Sequence, residues 1–188
     1  MCIRDSGTGT NQSAASADGV ITLALGKGQN TPFTSNPFSP RVWNGSLCHE
    51  VNIGTDYCPG TANSTGAPGV LIATGSDCVA IDSLTLIGTN LPTNAFGFFI
   101  CGQNQDMIAA GQGFVCIGNP VGRGVGGAIY DSGASGVIST TTNLVLPQPT
   151  GAVQVAPGET WNFQLWTRDS VGGMATSNTT NATSITYR

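Results

Sequence analysis

The chain has 188 residues and a net charge of −4, with 9% charged and 39% apolar residues. That length suits one domain plus an extension and is enough to bury a real core, while the apolar fraction excludes a wholly disordered chain. Six Lys and Arg residues, scattered singly, exclude the clustered basic footprint of a nucleic-acid binder, and no apolar run is long enough to insert into a membrane as a spanning helix.

The six cysteines are Cys2, Cys48, Cys58, Cys78, Cys101 and Cys116. No CxxC pair occurs and His49 is the only histidine, which gives a zinc site little to build on. Disulfides in an exported protein fit better, because thiols persist reduced in the cytosol. Spacing alone does not choose among the pairings.

In chain order, the start MCIRDS has neither the basic segment nor the apolar segment of a signal peptide. It is similar to the translated adapter remnant that opens many metagenomic protein predictions. Residues 1–6 are therefore expected to be foreign and the chain an N-terminally truncated fragment. Cys2 then drops out, and one of the remaining cysteines is free or pairs upstream. Residues 7–18, GTGTNQSAASAD, read as linker. GVITLAL (19–25) reads as a strand, and GKGQNTPFTSNPFSPRVWNGS (26–46), with three prolines, as loop. Residues 7–56 together read as a linker or the tail of an upstream domain.

From Tyr57 the pattern is regular. PGVLIATG, VAIDSLTLIG, AFGFFICG, GFVCIG, SGVISTTTNLVL, GAVQV, ETWNFQLWTRD and ATSITYR are short apolar or alternating runs separated by Gly, Pro or Asn turns. No window holds a capped helical period, so helix is expected to be nearly absent. About eight short strands with turns between them predict an all-β, antiparallel β-sandwich over 57–188, immunoglobulin- or fibronectin-like or jelly-roll-like. In VAIDSLTLIG, Ala80, Leu84 and Leu86 are expected to face inward. NLPTN (90–94) and APG (156–158) supply turns.

The run ETWNFQLWTRD separates two tryptophans by face. Trp161, Phe163 and Leu165 form an apolar row and are expected in the core. Trp166 falls in a polar row with Gln164 and Arg168. An aromatic face flanked by amide and guanidinium groups suits a sugar ring, which makes Trp166, Gln164 and Arg168 the candidate ligand-binding residues. The competing reading covers Trp166 with a loop or stacks Arg168 on it as a cation–π pair.

Tyr57–Arg188 resembles a C-terminal domain of large exported proteins from Planctomycetes and other environmental bacteria. The residues that carry the resemblance are YCPGTANSTGAPGVLIATGS, LTLIGTNLPTNAFGFFICGQNQ, GFVCIGNPVGR, PQPTGAVQVAPGETWNFQLWTRD and GGMATSNTTNATSITYR. The resemblance implies an extracellular or cell-surface protein built on a β-sandwich, in a family without an assigned activity. Asn178-Thr179-Thr180-Asn181 departs from the family's Asn-Phe-Thr-Asp ending and lacks its aromatic. The resemblance also pairs Cys58 with Cys116, at its YC and C-[LI]-G positions. Cys78 and Cys101 form an alternative if they bracket one hairpin turning near Leu91. Cys101 with Cys116 is another, across a hairpin with a long loop over 102–113.

Catalytic sets are sparse. His49 is isolated beside Glu50, without the partners that a nucleophilic triad requires. Glu50 and Glu159 are the only glutamates, and Asp56, Asp77, Asp82, Asp106 and Asp131 are spread singly, unlike the paired carboxylates of a glycosidase. Asp77 and Asp82 could share a loop calcium with backbone carbonyls, but no EF-hand spacing surrounds them. No other cofactor is expected. GNPVGRGVGG (118–127) lacks the lysine of a phosphate loop; its glycines read as turns, and Arg123 as an internal cation. Asn11, Asn44, Asn63, Asn178 and Asn181 head glycosylation sequons, which matter only in a glycosylating host. The expected function is a non-catalytic module of a secreted or surface protein with a structural, adhesion or assembly role. A carbohydrate-binding module using Trp166 is the alternative, with a glycan or another surface protein as partner. A hydrolase ranks third.

Overall fold

A computed structural model describes residues 2–5, 13–15, 22–24, 45–48 and 51–188. The chain forms two compact units, Met1–Glu50 and Val51–Arg188. In the first, β1 (Cys2–Asp5) pairs antiparallel with β4 (Gly45–Cys48), placing Cys2 opposite Cys48, and β2 (Ser13–Ala15) pairs with β3 (Thr22–Ala24). The strand expected over 19–25 is represented by β3, and the stretch expected as loop ends in β4. Of the linker expected over 7–18, 13–15 form β2 and the rest lies outside the described residues, as do 26–44 of the expected loop, His49, Glu50, Asn11 and Asn44.

The second unit is an all-β sandwich with no helix among the described residues. Its strands are β5 (Val51–Asn52), β6 (Thr55–Tyr57), β7 (Val70–Gly75), β8 (Leu84–Thr89), β9 (Phe96–Gly102), β10 (Asn104–Ala110), β11 (Gly113–Gly118), β12 (Gly122–Asp131), β13 (Ile138–Thr142), β14 (Val145–Leu146), β15 (Val153–Gln154), β16 (Thr160–Val171) and β17 (Met174–Thr186). Every pairing is antiparallel. One sheet has the order β12-β9-β16-β17-β6 and the other β13-β8-β7-β5. The hairpins β10–β11 and β14–β15 stand apart from both.

The core follows from alternation. β7 and β8 point Leu71, Ala73, Leu84 and Leu86 inward, and β16 answers with Trp161, Phe163 and Leu165. Phe99, Cys101, Val125, Ile138, Ile185 and Tyr187 fill the same layer. Trp161 is 2% exposed, and its indole N–H donates to Glu159 Oε2 at 3.0 Å, so the buried ring keeps its polar edge satisfied. Leu165 sits so close over Gly88 that a Cβ there would collide with its Cδ2. Ala80 is exposed rather than inward, because Val79–Ile81 form a turn and β8 begins only at Leu84.

Two strands lie where the sequence reads as loop or turn. β10 occupies most of 102–113, and six of its seven residues are exposed. β12 runs through the glycine-rich segment as the edge of the larger sheet, with register shifts on both sides of Val125. The two sheets also dispose of one disulfide scheme. β8 and β9 belong to different sheets, so 90–95 is a crossover rather than a hairpin turn, and Cys78 and Cys101 are both free thiols. The bond that forms is Cys58–Cys116, with Cα atoms 6.3 Å apart, which also removes the Cys101–Cys116 alternative.

Candidate functional site

The face of β9 and β16 turned away from the core carries Phe98, Ile100, Asn162, Gln164 and Trp166. In a two-layer sandwich this face would meet water. Here the β10–β11 hairpin folds back over part of it, and Ile100, Cys116, Ile117 and Ala182 make a second, smaller apolar cluster with Tyr57, Phe98 and Phe114 packed against it.

Polar side chains hold this flap down. Gln164 is fully buried: its Oε1 accepts from Cys116 N at 2.9 Å, and its Nε2 donates to Phe114 O and Thr180 O, both at 2.9 Å. Asn162 Nδ2 donates to Gly102 O and Gln103 O, while its Oδ1 accepts from Gln105 Nε2. Tyr57 Oη donates to Cys116 O at 3.0 Å, and burial pushes its hydroxyl well above the ordinary tyrosine range. Thr179 Oγ1 donates to Phe114 O at 2.8 Å. The disulfide adds a covalent tie from Cys58, just after edge strand β6, to Cys116 on β11.

Gln164 is therefore a clamp with no free group for a ligand, and this corrects its expected place in the site. Arg168 is corrected too. It lines a separate depression with Phe96, Asn94 and Ser170, and Trp166 stacks instead on Phe98, its partner across β9 (ring centroids 4.9 Å apart, planes at 29°). The structure does not bring Trp166, Gln164 and Arg168 together.

What remains uncovered beside the flap is an open cleft of about 960 Å³. Its floor is Phe98, Ile100 and half-buried Trp166, and its rim carries Asn119, Arg123 and Gln148. A shallower depression of about 440 Å³ continues past Phe98 and Arg123 onto Gly124, Gly127 and Ile129. Arg123 thus stands where the two depressions meet. Gly124 and Gly127 have φ values of 77° and 87°, a region that favours glycine, and leave the second depression open. Sequence reasoning found Trp166 but missed Phe98, Asn119, Arg123 and Gln148. Alternation in AFGFFICG, with Phe96, Phe98 and Ile100 opposite Gly97, Phe99 and Cys101, was the signal for an aromatic on the outer face.

The carboxylates lie elsewhere and are engaged in the fold. Glu159 accepts from Ala156 N as well as from Trp161, and these bonds hold it below the usual carboxylate range. Asp56 accepts from Thr183 Oγ1, Asp82 from Leu144 N, Asp106 from Met107 N, Asp131 from Gly133 N and Asp169 from Ser64 N. Asp77 pairs with Arg188 Nε at 3.2 Å. The expected Asp77–Asp82 calcium pair is thus divided between an ion pair and a backbone cap. Among the described residues, no group of three or more His, Cys, Asp or Glu side chains is placed to hold a metal ion, and no helix is long and apolar enough to cross a membrane.

Compared with known proteins, the chain matches no family model, no curated protein and no solved structure.

Proposed function

We propose that Val51–Arg188 is a non-catalytic module of an exported or cell-surface protein, acting by contact in adhesion or assembly. One observation carries this reading: among the described residues, no carboxylate lines the main cleft. A general acid or base must stand within hydrogen-bond reach of the substrate whose proton it takes or gives. The Cys58–Cys116 disulfide and the resemblance to exported bacterial domains support an oxidising compartment. The test is prolonged incubation of the full chain with pooled oligosaccharides and ester or peptide substrates. The reading expects no product above buffer; turnover abolished by one Asp→Asn substitution would contradict it.

The stacked Phe98–Trp166 pair in an open cleft favours a second, more specific reading, that of a carbohydrate-binding module. Aromatic faces take up the C–H face of a pyranose, and amides on the rim bond its hydroxyls. Trp166→Ala would then abolish retention on a polysaccharide matrix while the folded baseline by circular dichroism stays in place. Unchanged retention would remove Trp166 from the site.

A further inference from the structure

The cleft has one ionic feature, and it is of one sign. Arg123 is exposed on its rim, and no carboxylate lines either the cleft or the depression that continues from it, among the described residues. The unit's acids are occupied elsewhere, as described above. An arginine at an apolar wall, away from neutralising groups, is matched by a planar anion that its guanidinium can grip through two parallel N–H bonds. Asn119 brings an amide to the same rim, and so does Gln148, whose Nε2 donates to Pro147 O and Cys101 Sγ and whose Oε1 is the group a ligand would meet. Two depressions joined at Phe98 and Arg123 fit a chain of rings better than a single ring.

We infer that the ligand is an acidic polysaccharide, a strand of uronic-acid pyranoses, with Arg123 binding a ring carboxylate while Phe98 and Trp166 pack against ring faces. The inference rests on the carbohydrate-binding reading and adds the charge of the sugar. It makes Arg123 the specificity-determining residue, and Trp166 the source of affinity for any pyranose.

Calorimetric titration of the full chain compares an oligogalacturonate with the same oligomer after its carboxylates are reduced to alcohols. The acidic oligomer is expected to bind about tenfold more tightly or better, a difference of about 1.4 kcal/mol, and added salt should narrow the gap. Arg123→Gln, at an exposed position that leaves the fold alone, should bring the acidic oligomer down to the level of its neutral twin. Equal binding of the two oligomers by the wild type would overturn the acidic inference and leave the carbohydrate reading standing. An acidic preference that survives in Arg123→Gln would overturn the assignment of Arg123. Binding of neither oligomer would overturn both the inference and the reading beneath it.

Discussion

Gln164 uses its amide on backbone groups of two other strands, Cys116 N and Phe114 O of β11 and Thr180 O of β17. Gln164→Leu keeps the volume but removes the partner of Cys116 N and Thr180 O in a dry layer, while Phe114 O keeps its bond from Thr179 Oγ1, and the expected loss is about 3 kcal/mol, read as a lower urea midpoint. A loss near zero would mean the flap is not held by this clamp. Cys101 provides a residue-scale test in pH. Burial among core residues raises its thiol to about 12, although a hydrogen bond from Gln148 acts the other way. A folded value above the unfolded one contributes stability that is complete below the unfolded value and lost as pH rises towards the folded one. Stability should therefore fall from about pH 8.5 upward. In Cys101→Ala the fall should start near pH 10, where the buried hydroxyls of Tyr57 and Tyr187, both also raised by burial, begin to lose their neutral form in the unfolded chain. Superimposable pH profiles for the two proteins would contradict this.

At the scale of elements, the disulfide and the flap belong together. Cys58 and Cys116 are 58 residues apart in sequence, and cross-linking a loop of that length contributes about 4 kcal/mol. Cys58→Ser with Cys116→Ser should lower unfolding stability by about that amount while Gln164, Tyr57 and Thr179 keep the flap docked; no change in the urea midpoint would show that the bond constrains nothing. β10 and β12 were illegible in the sequence for different reasons. β10 buries almost nothing, so its residues carry no alternation to read. β12 is an edge strand whose glycines permit its register shifts, and glycine normally signals a turn. The segment 178–181, which holds no aromatic residue, packs by polar means. A bulge between Gln164 and Trp166 places Thr180 so that its Oγ1 accepts from Leu165 N. Asn181 then spans to the opposite sheet, accepting from Leu71 N at 2.7 Å and donating to Leu71 O at 3.2 Å. Asn178 donates to Ala62 O and Asn63 to Asn90 O. These three sequon asparagines are thus built into the fold through their amides.

For the whole molecule, the sandwich and its central row were readable because Trp161, Phe163 and Leu165 alternate with polar residues on a strand that crosses the middle of a sheet. The same alternation misled about the far side. Asn162 and Gln164 look like a wet face, yet a third layer covers them, and nothing local in β16 announces a flap that comes from residues 104–118. The site was half legible for that reason: Trp166 stands out by type, whereas Arg123 joins it only through the β12–β9–β16 order of the sheet. A covered tryptophan, Trp161, and a half-buried one at the cleft, Trp166, therefore have separate tasks. The direct measurement is a nitrogen-15 NMR titration of the full chain with oligogalacturonate, following the indole N–H signals of Trp161 and Trp166, assigned by single Trp→Phe substitutions. The Trp166 signal should shift progressively to saturation, while that of Trp161, bonded to Glu159 inside the core, stays in place and exchanges slowly with solvent. A Trp166 signal that does not respond, or a Trp161 signal that exchanges rapidly, would contradict the account.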